Sequence, residues 1–301
     1  MTQLDRLVRR AGHALGVALA PGLLMACAMQ ASPPAAPTLT PDRIAQIVAS
    51  PERSAADRTN DIRRKPEPML AFIGIRPGMV ALDVSAGGGY TTELLARAIG
   101  PGGQVYGQSP PRNPNQAPPR PAAAEGNSRP DLAAPAPSAP QPAASAPLRT
   151  SAIALAEREA RLRSANVAAA TLVAVPQPFE DPVPAALADG KLDLVTLMFN
   201  YHDLGFLGVD RAQMNRAIFR ALKPGGLFVV ADHAGRPGTG ISESGTLHRI
   251  EETFLRREVE AAGFKLAAQG LFLRNPGDPR DKNTPEPAQP KDEFVLKFVK
   301  P

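Results

Sequence analysis

Residues 82–90 read LDVSAGGGY, an apolar run that ends at Asp83 and opens into three consecutive glycines, Gly87, Gly88 and Gly89. Upstream, 79–84 (MVALDV) follows the Arg76-Pro77-Gly78 turn and has the length and apolar content of a buried strand. Downstream, 91–99 places Leu94, Leu95, Ala98 and Ile99 on one helical face, and Gly100-Pro101-Gly102-Gly103 stops that helix. A strand, a bare turn and a helix form a unit in which absent side chains let a ligand approach backbone N–H groups. Two familiar versions of this unit fail on inspection. The dinucleotide fingerprint needs a third glycine where Thr92 stands, and the phosphate-binding P-loop needs a Gly-Lys-Ser/Thr that does not follow.

Working outward, the pattern predicts further strands at 104–108, 171–175, 192–199, 227–231 and 294–300, and helices at 153–164, 210–222 and 253–262. Strands apolar on both faces and separated by helices imply a mainly parallel sheet covered on both sides. Ligands bind such sheets at the carboxyl ends of the strands, where strand order reverses. The loops after Asp83, Gln108, Val175, Phe199 and Ala231 therefore carry the functional weight.

The stretch from Asp83 to Gly89 resembles the first motif of class I S-adenosylmethionine-dependent methyltransferases, acidic-x-Gly-x-Gly-x-Gly, with Asp83, Ser85, Gly87 and Gly89 in those places and Ala86 between. Ala221-Leu222-Lys223-Pro224-Gly225-Gly226, EAAGF at 260–264 and the terminal FVLKFVK match the second half of that fold. The resemblance implies an α/β, Rossmann-like methyltransferase fold, a seven-stranded mostly parallel sheet with helices on both faces, and S-adenosylmethionine as cofactor. More narrowly, DIRRKPEPMLAFIGIRPGM (61–79), NYHDL (200–204), DHAGRPGTG (232–240) and TLHRIE (246–251) resemble a poorly characterised bacterial methyltransferase-like family, which implies no particular substrate. Ser85 replaces the first glycine, a tolerable change if its backbone angles stay in the L-residue regions. Gln108 stands where an acidic residue usually meets the ribose hydroxyls, and it offers a carbonyl acceptor without charge. After the third strand the chain has Gln177-Pro178-Phe179; Phe179 is a candidate to stack on adenine, with a core role as the alternative.

Outside the N-terminal segment there are three histidines, His202, His233 and His248, each beside an acidic residue: Asp203, Asp232, and Glu251 or Glu252. His202 follows strand four and His233 follows strand five, so their loops should emerge side by side. His248 is brought back by 232–248, where Gly235, Gly238, Gly240 and Gly245 let the chain curl over the sheet like a lid. At least two of these rings are expected to share a pocket with Asn200 and the Asp83 loop, with a carboxylate in hydrogen-bond reach. One reading makes His202 or His233 a general base, with Asp203, Tyr201 and His248 as further catalytic candidates; the methyltransferase resemblance implies that Asn200-Tyr201 lies where the nucleophile is positioned, with Asn200 among the cofactor-binding residues. Another reading is a metal site, for which no local spacing such as His-x3-His speaks, so no metal is expected. The third is ordinary capping. Arg63, Arg64 and Lys65 are either an anion-binding group or a solvated helix face.

Composition sets the remaining limits. Of 34 prolines in 301 residues, 12 fall in the 39 residues 109–147, a segment with too little apolar side chain to offset its ordering entropy; 109–148 is read as a disordered insert. The net charge is +5, but the first ten residues hold +2 and the insert +1. No basic helix stands out, which argues against a nucleic-acid partner.

Residues 1–26 begin with Arg6, Arg9 and Arg10 and continue as a 16-residue apolar run, too short to span a bilayer comfortably but suited to a signal peptide. Leu24-Met25-Ala26-Cys27 resembles a bacterial lipobox, and Cys27 is the only cysteine of the chain. That resemblance implies a lipid on Cys27, an outer-membrane anchor facing the periplasm, and a tether over 27–41 leading to a domain over 42–301. The combined reading is a lipid-anchored methyltransferase acting on a small molecule, with a non-enzymatic periplasmic binding protein for another ligand or a metal as the alternative. Replacing Cys27 by Ser should release the protein from the membrane fraction or leave its precursor uncleaved. Wild-type protein recovered in the cytoplasmic fraction would contradict the export reading.

Overall fold

Local chemistry accounts for most element boundaries in the computed structural model, which describes residues 37–111 and 149–301. The proposed signal segment, the lipid site at Cys27, most of the tether and nearly all of the insert lie outside the described residues. Leu39, which falls in the expected tether, donates its N–H to Ile75 O and packs on the core. Thr40 then caps α1 (Pro41–Ala49), and Ser54 caps α2 (Ala55–Arg64). Lys65, at φ +43°, joins α2 to α3 (Pro66–Ile73), because Pro66 cannot continue the helix before it. These three helices carried no clear signal beforehand.

The α/β part runs β1 (Val80–Val84), α4 (Tyr90–Ile99), β2 (Gln104–Ser109), α5 (Ser151–Ser164), β3 (Thr171–Pro176), β4 (Leu192–Met198), α6 (Asp203–Phe206), α7 (Arg211–Ala221), β5 (Leu222–His233), α8 (Ser244–Leu247), α9 (Glu252–Ala261), β6 (Lys265–Gly270) and β7 (Glu293–Val299). Ser109, assigned beforehand to the insert, is the last residue of β2 and pairs with Pro176.

The seven strands form one sheet in the order β3-β2-β1-β4-β5-β7-β6. All neighbours pair in parallel except β7, which runs antiparallel to both β5 and β6. The chain leaves β1 outward through β2 and β3 and then returns to lay β4 on the other side, so strand order reverses between β1 and β4. This is the seven-stranded, mostly parallel architecture expected above, a Rossmann-like methyltransferase fold of class I.

Two apolar layers cover the sheet. One carries Ile44, Leu70, Ile73, Leu94, Leu95 and Leu162 from α1, α3, α4 and α5; the other carries Met214, Ile218, Leu255 and Val259 from α7 and α9, with Phe228, Phe264 and Phe298. β4 (LDLVTLM) is buried along nearly its whole length; its one half-buried position is Asp193, and its buried hydroxyl, Thr196, is hydrogen-bonded to Asp83.

Two departures have local causes. Lys223-Pro224-Gly225-Gly226 does not delay β5 but bulges out of it: Leu192 pairs with Leu222 and Leu194 with Leu227, so the turn residues are looped out of the ladder. β6, whose sequence KLAAQG is poor in β-formers, was not apparent beforehand and is placed by pairing with β7. No helix among the described residues is long and apolar enough to cross a membrane.

Glycine serves packing at the start of β2. A Cβ on Gly103 would stand 2.3 Å from Met79 O and 2.2 Å from Ile99 Cγ2, so the backbone would have to move. Gly103→Ala is therefore expected to lose about 1–3 kcal/mol in urea unfolding with an unchanged m-value. An unaltered midpoint would mean that the strand entry yields freely.

Candidate active site

The site is built at the strand reversal. Asp83, next to the last residue of β1, has its carboxylate turned inward: Oδ2 accepts from Thr92 Oγ1 in the first turn of α4 and Oδ1 from Thr196 Oγ1 on β4, each at 2.7 Å. Burial raises its pKa to about 6 in spite of the two hydroxyl donors. Its carboxylate thus fixes the loop from below.

Ser85 follows at φ +61°, the left-handed region that L-residues other than glycine adopt infrequently. Its neighbours hold it there: Ser85 N donates to Gln108 Oε1 at 3.0 Å and Ser85 Oγ to Asn200 Oδ1 at 2.7 Å. Ala86 N donates to Gln108 O, which ties the turn to the end of β2. Gln108 is fully buried and its side-chain amide donates to Gln177 O at 2.7 Å. Both ends of this amide are engaged within the protein, so the residue at the expected ribose position braces the loop.

The three glycines then divide by role. Gly89 is buried, and a Cβ there would stand 2.7 Å from Leu155 Cδ2 and 2.8 Å from Arg158 Cδ, so it serves the packing of α5. Gly87 and Gly88 are exposed, and a Cβ on Gly88 would meet nothing within 4 Å. Gly87, at φ +51°, makes the turn. The bare backbone that a ligand could approach is Gly87-Gly88.

Arg158, unmarked in the sequence reading, holds this loop from the side. Its Nε donates to Gly88 O at 2.6 Å, while Nη1 and Nη2 reach both oxygens of Asp57 on α2 at 2.7 and 2.8 Å, and Nη1 also reaches Glu93 on α4 at 2.6 Å. A fork of this kind is the strong form of ion pair, and here it ties three helices to one carbonyl. No motif announces it, because Glu93 and Asp57 lie 65 and 101 residues from Arg158.

After β4, Phe199 takes φ +60°, a rare conformation for an aromatic residue. The guanidinium carbons of Arg63 and Arg64 lie 4.6 and 4.7 Å from its ring centre, and Arg63 Nη1 pairs with Glu293 at 2.6 Å. This pair is therefore neither a plain solvated face nor a loose anion site.

The histidines converge. The ring centres of His202 and His233 are 5.2 Å apart, and those of His202 and His248 5.6 Å. His202 is fully buried, with Nδ1 2.6 Å from Asp232 Oδ1 and Nε2 3.1 Å from Asp203 Oδ1. Burial alone would lower its pKa, but Asp232 and Asp203 together hold it up to about 10. His233, buried 3.0 Å from Glu293, is pushed well below the usual imidazole range by burial and by Lys291, His202 and Arg63. His248, with its side chain 26% exposed, places Nδ1 2.9 Å from Asp203 Oδ1. Asn200 Nδ2 donates to Asp203 Oδ2 at 3.0 Å. One chain of hydrogen bonds thus runs from Ser85 through Asn200 and Asp203 to His248.

Two other candidates lie elsewhere. The Tyr201 hydroxyl points away from the cluster, donating to Glu258 on α9 and accepting from Asn215 on α7, in full burial. Phe179 packs in the core layer with Val183 and Leu82 and is 7% exposed. The lid segment is anchored: Ser244 Oγ donates to His202 O at 2.6 Å, and Arg249, fully buried, donates to Ala234 O and pairs with Asp278.

No protein-family model matches the chain, and no curated protein matches it. Among solved structures, an S-adenosylmethionine-dependent methyltransferase from Aquifex aeolicus is 14% identical, with 87% of this chain and all of that one covered and a TM-score of 0.49. A putative methyltransferase from Haloferax volcanii, solved with its Trm112 activator, is 18% identical over 88% of this chain and all of that one, TM-score 0.48. The [4+2]-cyclase SpnF is 16% identical over 89% and 98%, TM-score 0.47. The fold assignment rests on the strand order itself.

Asp83 gives a pH signature. Its folded-state pKa of about 6 exceeds the usual 3.8, so its contribution is full below about 3.8 and lost as pH rises through about 6. Against Asp83→Asn, the wild type should lose about 2–3 kcal/mol over that interval and run parallel above it. Equal slopes for the two proteins in denaturant unfolding at each pH would overturn the assignment.

Proposed function

We propose that the chain is an S-adenosylmethionine-dependent methyltransferase of the bacterial methyltransferase-like type, acting on a small molecule. The observation that carries this reading is the exposed Gly87-Gly88 backbone at the reversal between β1 and β4, unobstructed above Gly88 and leading into the N-terminus of α4. A cofactor held by main-chain groups fits that cradle. Since the Gln108 amide is engaged internally, contacts at the end of β2 fall to the backbone and not to a charged side chain.

When bound, S-adenosylmethionine supplies an electrophilic methyl group. The protein's own residues position the acceptor and remove its proton. His248 is the exposed imidazole of the cluster, and Asp203 on its Nδ1 orients the ring so that Nε2 can take a proton. Buried His202 and Asp232 position Asp203, and Asn200 joins this group to the cofactor loop.

We also propose that Cys27 carries a lipid and that the domain works in the periplasm at the outer membrane. S-adenosylmethionine is made in the cytoplasm, so that location requires a supply of cofactor across the inner membrane.

Calorimetric titration of the full chain with S-adenosylmethionine tests the central reading. Gly87→Asp should weaken binding at least ~100-fold, equivalent to about 3 kcal/mol, because its carboxylate enters the approach path while Asp tolerates the left-handed backbone. Undiminished affinity in the variant would remove this loop from the cofactor site.

A further inference from the structure

Sequence spacing offers no metal motif, yet the fold gathers His202, Asp203 and His248 so that one donor atom from each lies within 4.8 Å of the others. Asp232 explains their orientation. This buried carboxylate accepts the backbone N–H of His202 at 2.7 Å and of His233 at 2.8 Å, and lies 2.6 Å from His202 Nδ1. An ionised carboxylate only accepts, so Nδ1 of His202 carries the hydrogen and Nε2 is the atom that faces Asp203 Oδ1 at 3.1 Å. In a neutral imidazole that Nε2 is a lone pair. A lone pair facing a carboxylate oxygen needs a positive charge between them, either a proton or a metal ion. The same oxygen lies 2.9 Å from His248 Nδ1, and Asn200 holds the other carboxylate oxygen in place.

We propose that His202 Nε2, Asp203 Oδ1 and His248 Nδ1 bind one divalent transition-metal ion of the zinc type, with a fourth position open toward solvent. Donors around a tetrahedral zinc with bonds of about 2.0–2.2 Å lie roughly 3.4 Å apart. The two separations from Asp203 Oδ1, 2.9 and 3.1 Å, are slightly shorter than that, and all three donor atoms lie within 4.8 Å of one another, so a small adjustment of the rings admits the ion. Two imidazoles and one carboxylate suit zinc and its neighbours and not magnesium or calcium, which take oxygen ligands. Asp232 behind His202, and Asn200 behind Asp203, are the outer partners that such ligands require.

Access comes from one side. The side chains of His248 and Asp203 are 26% and 15% exposed, whereas that of His202 is sealed. His248 itself sits at φ +50°, a left-handed conformation that non-glycine residues hold at a cost and that brings its ring to Asp203. An acceptor hydroxyl or thiol at the open position would be acidified by the ion, which would then replace the general-base role assigned above to His248. The metal site itself does not depend on the cofactor reading, because binding is measured without S-adenosylmethionine.

The test uses the full chain, stripped with a chelator and titrated calorimetrically with zinc chloride, and in parallel with cobalt chloride followed by visible absorption. The expected result is one equivalent of zinc, with affinity reduced at least ~100-fold in H248Q and roughly 10–100-fold in D232N. The wild type should give the cobalt ligand-field bands of a site with four or five nitrogen and oxygen ligands, a readout that needs no variant to fold. Less than one equivalent of zinc, equal zinc affinity in the wild type and a folded H248Q, or a preference for magnesium over zinc would each overturn the proposal.

Discussion

The carboxylate of Asp83 sits where β1, β4 and α4 meet, and the site depends on its remaining there. Its two oxygens take hydroxyl donors from Thr92 and Thr196, so a single buried group sets the angle at which α4 leaves the sheet and the register of its first turn against β4. Enclosing that carboxylate is costly, as its raised pKa records. The gain is geometric. With the strand end and the helix start fixed, the intervening turn is short, exposed and free of side chains at Gly87 and Gly88.

From this point the site extends by contact and not by sequence proximity. Ser85, Phe199 and His248 all take left-handed backbone conformations, and each is held by a neighbour: Ser85 by Gln108 and Asn200, Phe199 by two guanidinium faces, His248 by Asp203. Such conformations cost of order 1–3 kcal/mol each and persist where the surroundings over-determine them. Ser85 and His248 stand at the two ends of one hydrogen-bonded chain, and Phe199 directly precedes its member Asn200. Arg158 completes the frame by clamping Gly88 O while it neutralises Asp57 and Glu93.

The fold was largely legible because its signals are local: apolar runs of strand length, a helical face at 94–99 and the glycine turns that separate them. The convergence of the histidines was also legible, since it follows from which strands end side by side. Other features were hidden for identifiable reasons. β6 carries Ala-Ala-Gln-Gly and exists because β7 offers it a partner. Gln108 and Tyr201 occupy positions that suggested ligand contact, but a side chain can turn toward the protein as readily as away from it, and position in a motif does not settle the direction. Arg158, Asp57 and Glu93 form a cluster only through tertiary folding, as do the ligand-type atoms of His202, Asp203 and His248. A sequence pattern records periodicity along one element; these groups are assembled across several.

We propose that the cofactor rests on the Gly87-Gly88 turn. Nuclear magnetic resonance of the 15N-labelled protein during titration with S-adenosylhomocysteine, the demethylated form of the cofactor, addresses it atom by atom. The largest amide shifts should fall on Ser85, Gly87 and Gly88, with the Asn200 side-chain amide following at the same ligand concentration. Saturable binding that leaves these four signals in place while moving others, or no binding at all, would contradict it.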